Sequence, residues 1–96
     1  MPALRWLPPA LDDMERLIDF LHEKSPSAAD KAAAAILEGA ELLLTAPRLG
    51  RALPDNTGRR ELVIPFAGGA YVLHYLLEGR ETIVILRVWH SREERD

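Results

Sequence analysis

Apolar positions recur every three or four residues through the first half of the chain and mostly every two through the second. These are the periods of a helix face and a strand face. Residues 3–7, ALRWL, predict a short opening strand, and Pro8-Pro9 ends it while suiting the first turn of a helix. Leu11, Met14, Leu17, Ile18 and Leu21 then fall on one helical face. Asp12, Asp13 and Glu15 stand near that helix's start, where the backbone dipole favours negative charge. A second helix begins with Ser25 as a cap and Pro26 in the first helical position. Its apolar face is Ala29, Ala32, Ala33, Ile36, Leu37, Ala40, Leu43 and Leu44, and it should stop before Pro47. The small side chains of 32–35 allow the two helices to approach closely as an antiparallel pair.

Residues 47–59, PRLGRALPDNTGR, hold two Pro and two Gly and read as a turn-rich linker. Three strands are expected after it: RELVIPF at 60–66, AYVLHYLL at 70–77 and TIVILRVW at 82–89. Gly68-Gly69 supplies the first turn and EGRE the second, so the three should form an antiparallel meander. The order strand, helix, helix, strand, strand, strand over 96 residues makes one α+β domain.

Composition narrows the function. A hydrophobic fraction of 48% and a charged fraction of 28% are those of an ordinary globular chain. The net charge of −3 is divided. Residues 1–47 carry eight acids against four bases, and residues 48–92 carry seven bases, all Arg, against four acids. Arginine suits bidentate contact with phosphate or carboxylate, yet a dedicated nucleic-acid binder is usually more basic overall. With no cysteine, thiol catalysis and thiolate metal sites are excluded. MPALRWLPP has no signal-peptide pattern and no apolar run reaches a membrane span, so a cytoplasmic location without membrane contact is expected.

Candidate chemistry gathers in RVWHSREER, from Arg87 to Arg95. His90 stands at a strand end beside Arg87, Ser91 and Arg92, where a general acid or base can face a cleft. His22 suits the end of the first helix, and His74 reads as a packed or partly exposed sheet histidine. No H-x-x-x-H pair, G-x-S-x-G or phosphate-binding glycine loop is present, so no metal or cofactor is expected. If the 60–66 strand starts at the sheet end where the 82–89 strand finishes, Arg60, Arg87 and Arg92 share one anion-binding patch. Alternatively, Arg60 pairs with Glu61 or Glu78. In a regular strand Arg87 and His90 face opposite ways unless the chain bends at Trp89. Trp89 is expected to be partly core, with Val88 a further core candidate.

Four segments in order carry a resemblance over residues 4–95. RWLPPALDDMERLIDFL, SPSAADKAAAAILEGAELLLTAPRLGR, GRRELVIPFAGGAYVLHYLLEG and TIVILRVWHSREER resemble the successive blocks of the ParE/RelE superfamily of bacterial toxins, and most closely ParE-type toxins. The resemblance implies a curved antiparallel sheet on a helical hairpin. It also implies a ParD-like antitoxin whose flexible segment wraps and blocks the toxin, in a toxin dimer or a toxin–antitoxin heterotetramer. ParE-like members inhibit DNA gyrase, whereas RelE-like members cleave mRNA on the ribosome. Here the lysine-rich stretch before the second strand is missing and no tyrosine follows Tyr75, which favours a non-enzymatic gyrase inhibitor. On that reading Arg51, Arg59, Arg60, Arg80, Arg87, Trp89, His90 and Arg92 meet gyrase or the antitoxin. On the nuclease alternative Arg60, Arg87 and His90 would be catalytic and would have to converge. A third possibility is a relative that keeps the antitoxin grip without toxicity.

Overall fold

The structure, a computed structural model, describes residues 2–93. Its elements run β1 (Ala3–Trp6), α1 (Pro8–Lys24), α2 (Pro26–Leu42), β2 (Arg51–Ala52), β3 (Arg60–Phe66), β4 (Gly69–Glu78) and β5 (Thr82–His90). The strands form one sheet in the order β1-β5-β4-β3-β2. β1 lies parallel to β5, and every other pairing is antiparallel. The predicted α+β fold is therefore observed, with a five-stranded sheet: the two residues of β2 lie inside the linker that was expected to be turns.

Local sequence explains the element ends. The Ser25 hydroxyl accepts from the Ala28 N–H at 3.2 Å and Pro26 opens α2. The β3–β4 turn is Ala67-Gly68 and not Gly68-Gly69, because Gly69 already pairs with Phe66. Both turn residues have positive φ, 47° at Ala67 and 83° at Gly68, as a tight hairpin requires.

The helices cover one face of the sheet. The core joins Ala10 and Leu17 of α1, Ala32, Ile36 and Ala40 of α2, and Leu62, Tyr71, Leu73, Tyr75, Ile83, Ile85 and Val88 of the sheet. Leu37, expected on the buried face of α2, is 46% exposed. Gly39 lets α2 approach β3, since a Cβ there would meet the Ile64 Cδ1 at 2.6 Å. The Tyr75 hydroxyl is buried under the 47–50 loop; it donates to the Pro47 carbonyl at 2.7 Å and accepts from the Gly50 N–H at 2.9 Å.

One irregularity sets the site. Tyr75 pairs with Ile85 and His74 pairs with Arg87, so Leu86 is an extra residue in β5, a bulge. Before it, Ile83 and Ile85 face the helices; after it, Val88 and His90 do. The bulge thereby turns Arg87 and Trp89 to the outer face. Val88 takes the fully buried core position, and Trp89 is half-buried against His74 with ring centroids 4.5 Å apart.

Candidate functional site

β1 ends opposite Ile85, where the Leu7 N–H donates to the Ile85 carbonyl. From there no strand among the described residues pairs with that edge of β5, and α1 covers it with Asp13. The Asp13 carboxylate, only 3% exposed, accepts from the Val88 N–H at 2.9 Å, from Arg87 Nε at 2.7 Å and Nη2 at 3.0 Å, and from Arg16 at 3.1 Å. Burial pushes this carboxyl up, but the Arg87, Val88 and Arg16 hydrogen bonds outweigh it and hold it below the usual aspartate value. Asp13 is thus a buried strand-edge cap and not a helix-dipole acid. Its sequence signal was its place between Ala10 and Leu17 on the inward face of α1.

The expected arginine patch does not form. β3 and β5 flank β4 and run the same way, so the start of one and the end of the other lie at opposite ends of the sheet. Arg60 is level with Tyr75 and Ile85, whereas His90 is level with Tyr71 and Ile64. That is four residues along β4, about 13 Å at the usual strand rise. Arg60 donates to the Gly50 carbonyl at 2.6 Å and to the Arg48 carbonyl, and not to either expected acid. Glu61 instead takes Arg51 at 3.1 Å and the His74 ring at 3.0 Å. The His74 bond, against the effect of burial and together with Arg51, keeps the Glu61 carboxyl below its usual range. Glu78 takes Arg5.

The remaining arginines are also dispersed. Arg59 is held by Asp55 and Thr57 in the loop before β3, where the Thr57 hydroxyl and Arg59 bring the Asp55 carboxyl down to about 2. Arg80 lies in the exposed turn between β4 and β5, at the far end of β5 from His90. Arg87 and His90 do point to opposite faces, and the bulge lies before both of them, at Leu86 and not at Trp89. Of the closing RVWHSREER segment, Glu94 and Arg95 lie outside the described residues.

Two grooves flank the sheet. In the first, between α1 and the ends of β3 and β5, His90 stands edge-on to Tyr71 beside Phe20, Phe66 and Arg92. His90 Nδ1 accepts from the Arg92 N–H at 3.1 Å, and the Arg92 guanidinium donates to the Gly68 carbonyl. The second groove runs between α2 and β3, past Gly39, Leu42, Leu49 and Ile64. Beyond the two residues paired with β2, no strand among the described residues pairs with the outer edge of β3 from Leu62 to Phe66, which is uncovered in that sense. Leu42, Leu49 and Val63 stand about half exposed there. Among the described residues no three His, Asp or Glu side chains gather as a metal site, and no helix is long and apolar enough to cross a membrane. The signal for both grooves was weak: Phe20, Leu42 and Leu49 read as ordinary apolar residues.

A family profile described as "ParE toxin of type II toxin-antitoxin system, parDE" matches residues 4–95. The chain belongs to the ParE toxin family. Within the wider ParE/RelE superfamily it is 40% identical over 95 residues to Toxin RelE3 of Caulobacter vibrioides, covering 99% of this chain and 100% of that one. It is 37% identical over 83 residues to Toxin RelE1 of the same organism, covering 86% of each. Among solved structures it resembles a chain of the chromosomal ParDE toxin–antitoxin system from P. aeruginosa, with a TM-score of 0.75 and 25% identity over 94% of this chain and 96% of the other. This ParE-family chain is therefore a toxin of the type II class, for which a cognate antitoxin is the implied partner.

Proposed function

We propose that this chain is a single-domain, non-enzymatic toxin that inhibits DNA gyrase in the cytoplasm and is neutralised by a ParD-like antitoxin. The observation that carries this reading is the separation of Arg60, Arg87 and His90. Acid–base cleavage of RNA needs groups within hydrogen-bond reach of one phosphate. Here Arg60 is tied to backbone carbonyls at one end of the sheet, Arg87 to Asp13 at its edge, and His90 stands at the other end. Such an arrangement suits a surface that binds a protein better than a centre that breaks a bond. Trp89, Arg51 and Arg87 on the outer face, with Arg59, Arg80 and Arg92 at its ends, are the contacts this reading assigns to gyrase or antitoxin.

The antitoxin contact falls to the two grooves. An extended segment can add to the uncovered edge of β3 while an amphipathic one fills the groove beside it. Complexes of toxin and antitoxin in equal numbers, such as a heterotetramer, suit that arrangement.

The decisive measurement is gyrase supercoiling and DNA cleavage with purified toxin, antitoxin added last. Loss of supercoiling or trapped cleaved plasmid, reversed by antitoxin, is the expected outcome. The names of the two Caulobacter relatives favour a second reading, a RelE-type mRNA endonuclease. Induction in cells separates the two: His90→Ala keeps its toxicity if gyrase is the target and loses it if RNA is cleaved. A wild-type chain that is harmless on induction would point to a relative that only binds antitoxin.

A further inference from the structure

The first groove has an apolar interior and a rim of mixed charge. Leu17 and Tyr71 form its buried floor, Phe66 and His90 line it, and Phe20 stands at its mouth 60% exposed, with the Lys24 ammonium 5.0 Å from its ring centroid. The free volume is about 590 Å³, room for a bulky side chain and its neighbours. Two guanidinium groups, Arg16 and Arg92, stand on the rim. Arg92 donates to the Gly68 carbonyl, while Arg16 donates to the carboxylate of Glu93.

Arg16 has two acidic partners of different kinds. Asp13 is 4% exposed at the side chain and fixes one end of the guanidinium from inside. Glu93 is 29% exposed at the side chain and meets the other terminal nitrogen, Nη1, of an Arg16 side chain that is 47% exposed, so this is the outward nitrogen. The buried partner holds Arg16 in place whether or not the outer one is present, so the outward nitrogen is a preorganised carboxylate seat. The outer pair, being exposed, is weakly held.

We propose that this groove receives an acidic amphipathic segment of the antitoxin, and that Glu93 occupies its carboxylate seat in the free toxin. A bulky apolar side chain of the segment enters beside Phe20, and a neighbouring carboxylate displaces Glu93 from Arg16. With Glu93 withdrawn, the rim presents Arg16 and Arg92 together, which is the charge complementarity an acidic segment needs. The naming of the antitoxin rests on the reading above; the chemistry of the seat rests on the groove.

The test uses the full chain, its Glu93→Gln variant and two probes, 3-phenylpropanoate and the neutral 3-phenylpropanamide, followed by NMR titration. The acid should perturb the resonances of Phe20, Tyr71 and His90 and bind more tightly than the amide. Glu93→Gln should tighten the acid about two- to fivefold, the size of a weak ion pair removed as competitor, and leave the amide unchanged. Equal binding of the two probes, an unchanged affinity for the acid in Glu93→Gln, or perturbations away from the groove would overturn the seat. Antitoxin binding is then measured for both proteins, with tighter binding by Glu93→Gln expected. Wild-type toxin that shows the Glu93-dependent preference for acid but ignores the antitoxin overturns the antitoxin reading alone. Antitoxin that binds both proteins equally overturns the swap alone.

Discussion

Asp13 accepts from three residues on two elements. Asp13→Ala leaves the Val88 N–H buried without an acceptor. The two guanidinium groups are half exposed and recover water, so the cost falls below that of breaking a fully buried pair, at about 2–3 kcal/mol. Urea unfolding measures it, and a loss under 0.5 kcal/mol would contradict the capping role. The sign of the pH dependence follows from the same site. The folded carboxyl titrates below the ordinary aspartate value, so its contribution is complete above about pH 4. Stability should fall as the pH drops through the lower, folded value, and this acid sensitivity should be reduced in Asp13→Asn. In the sequence Asp13 read with Asp12 and Glu15 as an acid near a helix start, which hid its inward position. Its partners on β5 were not visible either, because they stand more than seventy residues away.

At the scale of elements, β3 fell at 60–66 as its alternation required, and the ends of α1 and α2 followed Pro8, Ser25 and Pro26. What escaped were features that break a period. β2 is too short to show one, and the bulge at Leu86 shifts the phase of β5 midway. Reading β5 as regular from Ile83 would place Arg87 and Trp89 inside; the bulge puts Val88 there instead. The β3–β4 turn carries a local conflict, since Ala67 adopts a left-handed conformation that costs a residue with Cβ about 1–2 kcal/mol. Asn tolerates that region better, and Asn-Gly is the favoured pair for such a turn. Ala67→Asn should therefore stabilise the toxin by about 0.5–1 kcal/mol, read as a rise in melting temperature. No rise, with the hairpin intact, would mean that the turn is not under strain.

Over the whole molecule, the ordered run of segments made the family legible while the geometry of the site was not. Which residues meet depends on β4 lying between β3 and β5, and on which ends then coincide; no pattern within one strand carries that. The uncovered β3 edge and its groove give a prediction at this scale. Val63→Asp and Leu42→Asp alter half-exposed side chains away from the core, so folding should survive, while antitoxin affinity drops tenfold or more. Calorimetric titration checks it, and unchanged affinity would move the antitoxin off this edge. The parallel pairing of β1 with β5 has a consequence of another sort. Ala3 must find Thr82, and the strand it joins is the last of the sheet to be synthesised. Such distant closure is slow compared with forming the helical hairpin between them. During synthesis the hairpin can exist early, but the sheet that carries the outer-face arginines cannot. The sheet is thus incomplete by topology until that strand arrives, a delay in which a partner already present in the cell can reach the chain first.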